Sequence, residues 1–72
     1  MPNDFIPKMA RYVAFLQREA DVWYYERNDR EMSSYFLEKV DTVKDICTMF
    51  GVTSEVWREA KKIYNFSDSG RI

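Results

Sequence analysis

Prolines stand only at positions 2 and 7 and glycines only at 51 and 70, so the chain from Lys8 to Phe50 carries no strong helix breaker. An interior Gly or Pro costs a helix about 1 or 3 kcal/mol respectively, and their absence over so long a run favours long helices. The apolar positions agree. Phe5, Met9, Tyr12, Val13, Leu16, Ala20, Trp23 and Tyr24 fall within an arc of roughly 120° at helical spacing, the stripe of an amphipathic helix facing a core. Met32, Phe36, Val40, Val43, Cys47 and Phe50 recur every three or four residues and mark a second helix. Alternation with period two, the signature of a half-buried strand, occurs nowhere.

Punctuation places the ends. Asp4 is positioned to cap the first helix, with Pro7 in the first turn, where a missing N–H costs little. Asn28, followed three residues later by Glu31, resembles a capping box that opens the second helix. The alternative is one continuous helix through Asn28. Gly51 supplies the left-handed position at which many helices stop. Thr53 can cap a third helix, with Val52 and Trp57 as a hydrophobic staple. Val56, Ala60 and Ile63 form its expected buried stripe, and Trp57 and Tyr64 a neighbouring ridge.

These signals predict an all-α fold: an antiparallel helical hairpin, about 5–27 and 29–50, plus a short third helix, about 54–65. Residues 1–66 form one helical domain, and the aperiodic segment 67–72 reads as a flexible tail. The recurrence of Val22-Trp23 as Val56-Trp57, 34 residues apart, has the tetratricopeptide period. A second repeat would put Gly51 inside its first helix, so the recurrence is read as chance.

Composition closes off several chemistries. With 72 residues, no histidine and one cysteine, the chain has no imidazole base, no Ser/His/Asp or Cys/His pair and no intrachain disulfide. Glu19, Glu26 and Glu31 lack the Glu-x-x-His partners of helical di-metal sites. Asp41 and Asp45 lie one turn apart beside Lys44 on a polar face and read as solvated surface. Cys47 lies on the core stripe, where a structural thiol is expected. The sequence therefore reads as no enzyme, with no cofactor. It has neither a leader-like start nor an apolar run of the roughly 18 residues a membrane span needs. A free cysteine suits a reducing compartment, and a cytoplasmic location is expected.

Aromatic content is high, at 17%, and it spreads beyond the core stripes. Phe15 and Val22 flank the stripe of the first helix, and Tyr35, Ile46 and Met49 that of the second. Apolar surfaces nearer 180° than 120° suit a helix with two neighbours, and chains of this size often gain stability by oligomerising. The expectation is a homodimer whose hairpins form a four-helix core, with Phe15, Val22, Tyr35, Ile46 and Met49 at the interface.

Exposed aromatics beside arginines typify binding hot spots. Tyr25, Arg27 and Arg30 make one such set, and Trp57 with Tyr64 another if the third helix leaves them open. The reading is a non-enzymatic protein that self-assembles and docks a protein partner as adaptor, regulator or inhibitor. The alternative is a helix-turn-helix DNA-binding regulator using the 46–62 corner, with Ser54, Arg58, Lys61 and Lys62 toward DNA. Against it stand Glu55 and Glu59 on the same helix and a net charge of −1 with both signs interleaved.

Overall fold

The computed structural model describes residues 4–66; the expected tail, 67–72, lies outside them. The described residues form three helices and no strand. Helix α1 spans Phe5–Asp21 and runs directly into a π turn, Val22–Glu26. Helix α2 spans Arg30–Met49 and helix α3 spans Thr53–Ile63. The hairpin and the short third helix thus stand where the sequence placed them, with ends shifted by one or two residues.

The caps differ from expectation. Asp4 makes no side-chain cap; its carboxylate pairs instead with Lys8, one turn on, at 2.9 Å. Both groups are exposed, so the pair adds little. At the hairpin turn the cap is Asp29, not Asn28: the Met32 N–H donates to the Asp29 carboxylate at 3.0 Å. Asn28 has φ +52°, a left-handed conformation that asparagine tolerates better than most residues. That reversal excludes one continuous helix. Thr53 is the first residue of α3 rather than its cap. Its hydroxyl lies 2.8 Å from that of Thr48. Thr48 in turn donates to the Lys44 carbonyl at 2.8 Å, so Thr53 donates to Thr48 and fastens the start of α3 to the last turns of α2.

The π turn is the element the apolar periodicity does not reveal. The Arg27 N–H reaches the Val22 carbonyl at 3.1 Å, and the Asp29 N–H reaches the Trp23 carbonyl at 2.8 Å. Bonds five and six residues back satisfy carbonyls that a simple helix end would leave open. The segment holds Val22, Trp23, Tyr24 and Tyr25, bulky residues that lose rotamer freedom in a tight α turn.

Helices α1 and α2 are antiparallel along their whole length. Near the tip the Ser33 hydroxyl donates to the Ala20 carbonyl at 2.9 Å. At the other end the rings of Phe5 and Phe50 meet edge to face, with centroids 5.9 Å apart. The core combines Ala10, Val13, Ala14 and Leu16 of α1 with Val40, Val43 and Cys47 of α2 and Val56, Trp57 and Ala60 of α3; Phe66 closes it. Helix α1 is the middle member. Both other helices pack on it, whereas α2 and α3 scarcely meet. Small residues at Ala10, Ala14 and Ala60 let the axes approach, since interaxial distance follows side-chain bulk at the contact.

One stripe is rotated from its expected position. In α3 the buried positions are Val56, Trp57 and Ala60, while Ile63 is 56% exposed. Tyr12 and Phe50, expected in the core, are also exposed. Phe50 is the C-cap of α2, one residue past its last turn, where its ring meets that of Phe5 at the end of the hairpin.

Candidate functional site

Three surface features contain nearly all the residues singled out from sequence. The first is the hairpin tip. Tyr25 is 66% exposed and meets Tyr24 edge to face at 4.8 Å. The Arg27 guanidinium lies 4.4 Å from the Trp23 ring centre and that of Arg30 lies 5.7 Å from Tyr24. Each arginine thus lies on a ring of the π turn, and Tyr24 links Tyr25 to Arg30. Trp57 and Tyr64 do not join them. Trp57 is only 9% exposed, inside the core, so the condition for its use as an open docking residue is not met. The half-buried Tyr64 donates its hydroxyl to the Asp21 carboxylate and ties the end of α3 to the end of α1.

The second feature is an apolar face on the hairpin. Phe15, Tyr35, Ile46 and Met49, four of the five expected interface residues, are exposed, Met49 by 82%. Val22, the fifth, is half-buried within the π turn. Tyr12, Tyr35, Val43 and Ile46 line one shallow groove between α1 and α2 of about 420 Å³, and the Lys39 ammonium covers part of the Tyr35 ring at 4.8 Å. Phe15 lies three residues from Tyr12, and Met49 and Phe50 three and four from Ile46, so all sit beside the groove at helical spacing. Tyr12 and Phe50 are the members that sequence reasoning assigned to the core.

The third feature is basic. Where α2 and α3 stand apart, a depression of about 630 Å³ is lined by Lys44, Thr53, Ser54, Trp57, Arg58, Lys61 and Lys62. All four residues of the DNA-binding alternative line it. Lys44 was missed because it sits in the regularly charged outer face of α2, and nothing in the spacing shows that α3 turns toward it. Glu55 and Glu59, which weighed against that alternative, are not among the lining residues. Glu59 holds Lys62 at 3.0 Å from the flank, and the Lys61 ammonium lies 5.8 Å from the Phe66 ring centre. Among the described residues neither Lys44 nor Arg58 has an ion-pair partner.

Cys47 is fully buried, and burial raises its thiol above the ordinary value. It is therefore a neutral core side chain at physiological pH rather than a thiolate. Asp41 and Asp45 are exposed on the outside of α2. No helix among the described residues is long and apolar enough to cross a membrane. Comparison of the chain with protein-family models, characterised proteins and solved structures gives no significant match.

Proposed function

We propose that this is a non-enzymatic helical protein that works by association, pairing with a second copy through the apolar face of the hairpin and presenting its other surfaces to a protein partner. The observation that carries the reading is the set of six large side chains, Tyr12, Phe15, Tyr35, Ile46, Met49 and Phe50, left exposed along α1 and α2. At about 200 Å² for each such side chain, their exposed fractions leave on the order of 600 Å² uncovered, the upper end of what monomers expose. A small symmetric interface buries a similar area on each partner. The groove formed by Tyr12, Tyr35 and Ile46 gives that face a shape into which a partner's side chain can insert. The aromatic–arginine tip at Tyr25, Arg27 and Arg30 lies at the hairpin's far end from the Phe5–Phe50 contact and supports the second role.

Sedimentation tests the pairing. The wild type is expected to sediment above its chain mass of 8.7 kDa at micromolar concentration. The double variant Tyr35→Glu, Ile46→Glu should sediment as the single chain with unchanged helical circular dichroism, because both positions are exposed in the isolated chain. A wild type that remains at the single-chain mass up to about 100 μM would remove this reading, since binding that weak is worth under about 6 kcal/mol.

A further inference from the structure

We propose that the depression between α2 and α3 docks a short acidic segment of a partner protein, an inference that rests on the association reading and names the chemistry of one partner. Lys44, Arg58, Lys61 and Lys62 converge there with Thr53 and Ser54, and among the described residues no carboxylate lines the site. This happens in a chain whose formal net charge is −1, with the two signs mixed along its sequence. Lys62 is already held by Glu59, so the demand for a counter-charge falls on Lys44 and Arg58, which have no ion-pair partner among the described residues. A bound pair of carboxylates would supply that counter-charge and gain charge-assisted hydrogen bonds. The start of α3, at Thr53 and Ser54, adds the positive end of a helix dipole.

Size and surroundings favour a peptide over a nucleic acid. From Ser54 to Lys62 α3 rises about 12 Å, which matches three or four residues of extended chain. A longer polyanion would run on past the depression, where Asp41 stands one turn from Lys44 and Glu55 one turn from Arg58, both exposed. Nor does a net negative chain supply the long-range attraction that phosphodiester binding exploits. The edge of Trp57 among the lining residues, with the lysine and arginine stems, offers an apolar floor that can accept side-chain methylenes. The site is also independent of the pairing face. Lys44 lies two residues from both Thr42 and Ile46, which line the hairpin groove. Two residues amount to about 200° of helix rotation, so a paired molecule keeps the basic side open.

Fluorescence anisotropy with a fluorescein-labelled decaglutamate peptide at low salt tests the site. Saturable binding that weakens as salt rises is expected. The double variant Lys44→Gln, Arg58→Gln should weaken it about tenfold or more. Both side chains are exposed, and unchanged circular dichroism verifies the fold. Lys39→Gln, in the other groove, should leave it unaltered. Binding should also persist in Tyr35→Glu, Ile46→Glu, which separates failure of this site from failure of the pairing face. Absence of saturable binding, or equal binding by the Lys44/Arg58 double variant, overturns the proposal. So does tighter binding of a labelled DNA duplex or single strand through Lys44 and Arg58, which would assign the groove to nucleic acid.

Discussion

Among the described residues two polar side chains are buried, and the same kind of substitution should move stability in opposite directions at them. Ser33 is 1% exposed and Gln17 is 8% exposed. Ser33 donates to the Ala20 carbonyl at 2.9 Å, whereas Gln17 makes no side-chain hydrogen bond among the described residues. Ser33→Ala removes a satisfied bond worth about 1 kcal/mol net, and more if the Ala20 carbonyl is left short of a partner. The better helix propensity of alanine offsets about 0.5 kcal/mol of that, so a destabilisation of about 1 kcal/mol is expected. Gln17→Met keeps the length and helix propensity of the side chain and removes an amide whose unpaired burial costs about 1–3 kcal/mol. A stabilisation of about 1 kcal/mol follows. For a domain of this size each kcal/mol moves Tm by roughly 4–8 °C, so thermal melts at one fixed protein concentration resolve both changes. Urea titrations should give unchanged m-values and shifted midpoints. If both variants shift in the same direction, the distinction between a paired and an unpaired buried polar group is not what governs this core.

Further outcomes follow from single residues. Cys47 should resist an aqueous thiol reagent in the native state and react at a rate set by unfolding, because its thiol is enclosed; fast labelling without denaturant would contradict the packing. With the folded thiol pKa raised by burial, its contribution to stability is intact at neutral pH. Above about pH 8.5, where an unfolded thiol ionises, that contribution falls as pH rises. A Cys47→Ala variant should lose that alkaline slope. Gly51 has φ +71°, and a Cβ there would meet nothing within 4 Å. Gly51→Ala should therefore cost only the backbone penalty of about 1 kcal/mol, and Gly51→Asn less; a loss several times larger in chemical denaturation would point to a steric clash instead.

Helix number and order were legible because they depend on local chemistry: no breaker from Lys8 to Phe50, a polar interruption at Glu26-Arg27-Asn28-Asp29 and a glycine at position 51. Helix rotation was legible only where one stripe outweighed the rest. Val40, Val43 and Cys47 are buried as their spacing requires. In α3, Val56, Ala60 and Ile63 fit a stripe as well as Val56, Trp57 and Ala60 do. The choice depends on which side α1 lies, and no local signal carries that. Burial of the larger Trp57 settled it at the expense of Ile63. The basic groove was half legible for the same reason: Ser54, Arg58, Lys61 and Lys62 share one short helix, but Lys44 joins them only through the tertiary path of the chain.

The surplus of apolar surface that pointed to association divides unequally between the two long helices. A helix with a wide apolar arc needs two neighbours, and α1 has them, with α2 on one side and α3 on another. Helix α2 packs mainly on α1, and its second band, Tyr35, Ile46 and Met49, stays exposed. The unfilled demand is therefore located on the outer side of α2, extended by Tyr12 and Phe15 across the shallow groove on α1. On its other side α2 faces α3 across a gap edged by cations, which does not call for an apolar cover. One helix thus separates two surfaces of opposite chemistry, so an occupant of either leaves the other accessible. Substitutions on the two flanks of α2 should then affect self-association and acidic-peptide binding independently, and strong coupling between them would mean that the two surfaces are not separate.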